Sequence, residues 1–274
     1  MTGIFLRKFP IVLCVIRINA MENTLMKEMF FGFNSEGLEA AHGRDSQGMR
    51  SESSDKISEM TINERAFGIR VADTEEGRNH ASMLINKMYT WRGYAGIHRV
   101  DDNPNRITLA ASDKGTVIGT VTLGIDSPIG ILADEVFKDQ IDIFRNRGAK
   151  VCEISKLAFD PTVRSKMALG SLFHILYIYA HHLYKCTDAF IEINPRHRRY
   201  YEHMLGFKTL TEVRSNSRVD APAYLLWLSL KHMGNEIERL GGTSDNVNNE
   251  RSLYPYFFSK REEAGIANRL FNIG

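Results

Sequence analysis

Glu153-Ile154-Ser155-Lys156-Leu157-Ala158-Phe159 sets two charges and a hydroxyl into a run that otherwise reads, from Val151 onward, as a core strand. Such groups rarely bury unless they are paired or put to use. A carboxylate among apolar neighbours holds its proton more tightly than in water, which suits general acid–base work near neutral pH. The competing reading of Glu153 is a structural ion pair with Lys156 or a nearby Arg. Ser155 shares the face of Glu153, because strand side chains alternate, and is suited to donating a hydrogen bond to a substrate or to plain packing. Lys156 falls on the opposite face unless the strand bulges there. Arg164 and Lys166 follow at the start of a long helix, where a phosphate is the natural partner and a solvated turn the plain alternative.

These residues need elements to hold them. Residues 67–72 read as a strand and 74–89 as a helix, with Thr74 as its cap and Gly93 after its end. Residues 107–112 and 117–125 form a hairpin around Asp113-Lys114-Gly115. A helix over 133–147 closes at Gly148. The charged strand, 150–159, comes next, then a helix over 165–184, a strand over 188–193, a short helix over 195–205 with Pro195 in its first turn, and strands over 207–213 and 223–230. A tail with Leu253-Tyr254-Pro255-Tyr256-Phe257-Phe258 and a helix over 260–270 is apolar enough to pack back. The division expected is a flexible N-terminal extension (1–60), one α/β (α+β) domain (61–232) and a C-terminal extension (233–274).

The chain has 274 residues, room for one large domain. A net charge of +2 gives no global basic field, so nucleic acid is not an expected partner. Cys14, Cys152 and Cys186 are odd in number and widely spaced, fitting neither a disulfide framework nor a metal site, and a cytoplasmic setting is expected. The run Ile11–Ile16 after Arg7 and Lys8 faintly suggests an export signal. It is broken by Arg17 and too short for a transmembrane span, and Met21 offers an alternative start.

The element order, with the closing block Glu192-Ile193-Asn194-Pro195 and Tyr200-Tyr201-Glu202-His203-Met204-Leu205-Gly206-Phe207, resembles the GCN5-related N-acyltransferase fold. That fold implies a mixed, mainly antiparallel sheet flanked by helices and splayed into a V-shaped cleft for a thioester donor. Its acetyl-CoA branch has an Arg or Gln followed by glycines at the positions of Met167 and Leu169 here, which weakens a pyrophosphate cradle. The stretch Glu153-Ile154-Ser155-Lys156-Leu157-Ala158 is similar to the strand motif of acyl-homoserine-lactone synthases, departing from it at Lys156 and Leu157. Trp91-Arg92-Gly93-Tyr94, Thr122 to Pro128, Cys152 to Ala158, Ser171 to His174, Cys186-Thr187-Asp188 and Asn194 to His197 together look like the long-chain N-acyl amino acid synthases.

That resemblance implies transfer of a medium or long acyl chain from acyl carrier protein, or else from acyl-CoA, to the amine of an amino acid. No bound cofactor and no metal is implied. It makes Glu153 and Ser155 catalytic, with Tyr201 as the acid for the leaving thiolate. The spacing from Tyr201 to Gly206-Phe207 departs from the family's by one residue. It gives Lys156, Leu157, Ala158, Arg164, Lys166 and Asn194 to the donor and its phosphopantetheine, and Arg92 and Tyr94 to the acceptor, Arg92 as a carboxylate clamp. Arg196, His197, Arg198 and Arg199 form either a wet face or a dock for an acidic carrier. The rival readings are a CoA-dependent N-acetyltransferase, an acyl-homoserine-lactone synthase, and a non-catalytic lipid-binding module on the same fold.

Overall fold

A computed structural model describes residues 14–16, 67–163, 165–246 and 250–271. The proposed N-terminal extension, apart from Cys14–Ile16, and Arg164 lie outside the described residues. The strands are β1 (Cys14–Ile16), β2 (Phe67–Val71), β3 (Arg106–Asp113), β4 (Thr116–Ile125), β5 (Val151–Phe159), β6 (Asp188–Ile193), β7 (Lys208–Thr209), β8 (Arg214–Asn216) and β9 (Ala221–Ser229). The helices are α1 (Glu75–Trp91), α2 (Asp134–Arg145), α3 (Lys166–Tyr177, running on through a π-helical turn over Ile178–Leu183), α4 (Arg198–Leu205), α5 (Leu230–Leu240) and α6 (Lys260–Phe271).

The sheet runs β1-β2-β3-β4-β5-β6-β9-β7, with β8 paired to β9. All its ladders are antiparallel except β5 with β6. The mixed, mainly antiparallel sheet expected from the sequence is therefore present. Crossing between the parallel strands takes a long connection, and α3 supplies it.

The β5–β6 ladder is short. It pairs Val151 with Asp188, Cys152 with Ala189 and Glu153 with Phe190, and goes no further. β5 continues for six residues beyond that point, paired only with β4 on its other side. The V-shaped opening expected from the sequence lies here, and Glu153 stands at its apex.

A β-bulge lies just beyond. Thr122 pairs with Ser155 but Thr120 with Ala158, so β5 holds one extra residue. Lys156 absorbs it at φ 51°, the left-handed region that non-glycine residues seldom enter. The Thr120 hydroxyl donates to the Lys156 carbonyl at 3.0 Å and fixes the kink. The extra residue reverses the alternation of β5. Cys152 and Ile154 pack with α3, and so does Phe159, whereas Ala158 packs with α1. Gly119 sits opposite Phe159 because a Cβ there would stand 2.5 Å from the Phe159 ring.

Two features depart from the sequence reading. Residues 231–240, for which no element is expected, join Leu230, expected in the last strand, to form α5, which buries Leu230, Met233 and Ile237 on one face. The strand expected over 207–213 shrinks to Lys208–Thr209, and β8 turns back onto β9 as an unforeseen hairpin. The C-terminal segment buries Leu253, Tyr254, Phe257 and Phe258 in the same core as α3. No described helix is long and apolar enough to cross a membrane.

Candidate active site

The opening between β5 and β6 is a cleft of about 280 Å³. Glu153, Ser155, Lys156 and Leu157 line it from β5, and Ile191, Glu192, Ile193 and Asn194 from β6. Tyr89, Arg92 and Tyr94 come from the end of α1, Tyr201 from α4, and Arg218 from the β8–β9 turn. Eight of the predicted site residues thus meet in one place, although they are spread over a hundred positions of sequence.

Glu153 is 2% exposed. Its Oε2 accepts a 2.7 Å hydrogen bond from the backbone N–H of Leu132, in the turn leading into α2. Burial is the main force on its carboxyl, the charge of Glu192 adds to it, and the Leu132 N–H and Arg218 oppose it less strongly, so its pKa is pushed up to about 8. The ion pair with Lys156 does not form. Lys156 turns its ammonium to the Arg99 carbonyl instead, and burial pulls its pKa down.

Of two adjacent tyrosines, Tyr201 lines the cleft, while Tyr200 does not. Burial raises the Tyr201 pKa well above that of a free phenol, with Arg92 opposing, so the hydroxyl keeps its proton. Tyr89 is held neutral in the same way and meets Tyr94 edge-on at 5.5 Å. Arg92 lies close enough to Tyr201, Tyr94 and Tyr89 for all three to favour its charge, against the burial that lowers its pKa. Arg196 donates to the Arg92 carbonyl at 3.3 Å and lies 5.4 Å from the Tyr94 ring centre. His197 also lines this wall, and burial, then Arg196 and Arg92, bring its pKa to about 4, so it is neutral at pH 7. The Asn194 side chain caps the turn after β6 by accepting from the Arg196 N–H at 3.2 Å.

Two of the residues expected on the donor side lie outside the cleft. Lys166 does not line the cleft. It is 5% exposed and its ammonium lies 5.2 Å from the centre of the Tyr256 ring. The C-terminal segment presses on this part of α3, where a Cβ at Gly170 would stand 2.7 Å from the Tyr256 carbonyl oxygen. Ala158 is also outside the cleft, because the bulge turns it into the packing against α1. Arg164 lies outside the described residues.

Sequence reasoning missed Glu192, Arg218 and Asn216. Arg218 donates to Glu192 Oε2, to Glu135 Oε2 at 2.9 Å and to the Leu132 carbonyl at 2.7 Å, and Asn216 donates to Glu192 Oε1 at 3.3 Å. The signal for Glu192 was available, since a carboxylate interrupts Ala189-Phe190-Ile191-Glu192-Ile193 much as Glu153 interrupts β5. Arg218 gave no signal, because its hairpin was not recognised.

Lys156, Arg92, Arg99, Arg106 and Arg218 border the cleft against the two carboxylates Glu153 and Glu192. The cleft is thus a cation-rich slot with a protonatable carboxyl at its apex and a protonated phenol on its wall. Among the described residues no cluster of His, Cys, Asp or Glu is placed to hold a metal ion.

The family model of the N-acyl amino acid synthase FeeM matches residues 80–229. The solved structure of FeeM, an N-acyl amino acid synthase from uncultured soil microbes, aligns with a TM-score of 0.56 and 24% identity, over 62% of this chain and 93% of that one. An acyl-CoA N-acyltransferase from Pseudomonas aeruginosa aligns at TM-score 0.43 and 16% identity, over 59% and 97% of the two chains. The CoA-dependent acyl-homoserine lactone synthase MesI aligns at 0.41 and 18%, over 56% and 80%. The first of these likenesses supports the fold. No curated protein matches the sequence.

Proposed function

The chain belongs to the FeeM family of N-acyl amino acid synthases and is an N-acyltransferase, and on that premise we propose that it moves a medium or long fatty acyl group from acyl carrier protein to the amine of an amino acid. The observation that carries this reading is Glu153: a buried carboxyl with a pKa of about 8 at the apex of a cleft bordered by cations. An amino acid brings a carboxylate and an amine that must lose a proton, and the cleft offers a partner for each.

The donor enters as a strand would. Beyond Glu153, β5 has no ladder with β6, so its backbone groups on that side are open to the amides of a pantetheine arm, in the manner of an added strand. The thioester carbonyl then lies near the apex. The amine nitrogen forms the new C–N bond as Glu153 takes its proton, directly or through water. The C–S bond breaks, and Tyr201 gives a proton to the departing sulfur. The proton on Glu153 restores the phenol through solvent, so the amine's proton is in effect passed to the thiol. Arg92 and Tyr94 hold the carboxylate of the acceptor, and Ser155 donates to the reacting groups from the floor. Leu157, Lys156 and Asn194 flank the pantetheine path.

Carrier protein is favoured over CoA by the first turn of α3. Leu169 is fully buried and Met167 packs on the core, so this turn lacks the glycines that let a backbone approach a pyrophosphate. The exposed Arg199 and half-exposed Arg198, next to the cleft wall, suit an acidic carrier.

The test is to incubate the protein with acyl carrier protein and CoA thioesters of graded chain length and with each amino acid, reading new amides by mass spectrometry. Amides formed from carrier-protein thioesters are expected. Products from CoA donors alone would overturn the carrier assignment, and acylation of a homoserine lactone precursor alone would overturn the free amino acid as acceptor.

A further inference from the structure

We propose that Glu192 is a positioning residue for the acyl transfer: clamped where β6 parts from β5, it supplies the fixed negative charge that governs how readily Glu153 accepts the proton of the attacking amine. The inference rests on Glu153 being the base.

The geometry is specific. Phe190 is the last β6 residue paired with β5, opposite Glu153. Glu192 follows two positions later, on the same face, where the strands have separated. Asn216 Nδ2 donates to its Oε1 at 3.3 Å and the Arg218 guanidinium donates to its Oε2. Arg218 is itself held, because its backbone N–H donates to Asn216 Oδ1 at 3.0 Å. One residue, Leu132, links the two carboxylates by way of Arg218. The Leu132 N–H donates to Glu153 at 2.7 Å, and the Leu132 carbonyl accepts from Arg218 at 2.7 Å.

The two carboxyls therefore differ in their partners. Glu192 has a guanidinium and a side-chain amide, whereas Glu153 has a peptide N–H. Burial raises the Glu192 pKa too, but Arg218 opposes that rise by charge and by hydrogen bond, and the Glu192 charge resists ionisation of Glu153. The other charged or titratable groups facing the pair are Glu135 on α2, Tyr89 on α1, and Cys152 and Lys156 on β5. Glu135 is taken up by Arg218 and Ser217, Lys156 by the Arg99 carbonyl, and Tyr89 stays protonated. After burial, the charge of Glu192 is what most raises the proton affinity of Glu153, with Arg218 opposing it.

The test is the pH dependence of kcat/KM, using a decanoyl-pantetheine thioester and an amino acid that yields product in the panel above. The wild-type rate rises with pH through about 8. Glu192→Gln moves that rise down by about one pH unit, because the repelling charge is gone while Arg218 remains. Glu192→Asp keeps the charge and keeps the wild-type profile. If Glu153→Gln retains full activity, the assignment of the base is wrong. If Glu153→Gln is inactive but Glu192→Gln keeps the wild-type profile, this inference alone is overturned. Carboxyl ¹³C NMR of the wild-type chain reads the same coupling without a change at Glu192. Its resonance shows a second inflection as Glu153 titrates, and Glu153→Gln abolishes it; a Glu192 resonance insensitive to Glu153 overturns the proposal.

Discussion

Glu153 and Glu263 are both carboxylates drawn out of water, on different elements, with opposite consequences. Glu153 meets a peptide N–H and a like-charged neighbour, and its pKa climbs to about 8. Glu263, on α6, meets two histidines. His182 Nε2 donates to its Oε1 at 2.7 Å, and His174 Nε2 lies 3.4 Å from its Oε2. The Phe258 N–H donates to His174 Nδ1 at 2.9 Å, so the neutral ring carries its proton on Nε2, facing Glu263. Burial works against the Glu263 charge, but the two imidazoles outweigh it and lower its pKa. Burial beside a like charge stores a proton for chemistry, whereas burial beside two imidazoles fastens the C-terminal segment to α3.

The sharpest break is catalytic. Glu153→Gln should lower kcat by about 10²–10⁴-fold, the usual range for a lost general base, while Glu263→Gln leaves it within about twofold. Steady-state amide formation checks both, and equal losses would erase the contrast.

The next effect is on stability. Glu263→Ala strips His174 and His182 of their partner and should cost about 2 kcal/mol, read as a fall in Tm. Glu153→Gln should do the opposite at pH 8. Between about pH 4.5, its unfolded value, and about pH 8, the unfolded chain releases the Glu153 proton while the native chain retains it. Native stability therefore falls as pH rises across that window, and the amide removes the fall. A Tm gain at pH 8 that vanishes at pH 4.5 is the expected signature.

The histidine clamp has the reverse sign. Burial lowers the His174 pKa below 6.5, so the unfolded chain binds that proton first as pH drops, and stability falls below about pH 6.5. The Glu263 contribution is lost later, as pH falls through its lowered pKa. Hydrogen-exchange protection of α6, corrected for the intrinsic exchange rate at each pH, should fall on acidification from pH 7 to 5, while that of the β5 amides beside Glu153 does not. The smallest effect is expected for Tyr201→Phe, about a tenfold fall in kcat with the Glu153 limb of the pH profile unmoved.

Much of this was legible in the chain. An apolar run interrupted by Glu153, with turn signals around it, reveals a polar strand before any coordinates, and the order of elements predicted the mixed sheet. The helix over 230–240 was passed over because Leu230, Met233 and Ile237 are sparse among Lys231, His232, Asn235, Glu236, Glu238 and Arg239. Its burial depends on what packs there. A cation such as Lys166 at a helix start suggests an anion, and nothing local announces that Tyr256, ninety residues on, lies beside it. Arg92, Tyr94 and Tyr201 could be named as candidates, but not brought together.

The sequence by itself determined most of the elements and the presence of buried charge, because hydrophobic periodicity and the cost of an unpaired carboxylate are local properties of a strand. Tertiary structure alone decided what those charges do. The direction of Lys156 turns on one extra residue at a bulge, and the proton affinity of Glu153 on a turn near Leu132, a strand bearing Glu192 and a hairpin bearing Arg218. Electrostatic energies depend on distance and desolvation in space, and the groups that set them here are separated by tens of residues along the chain.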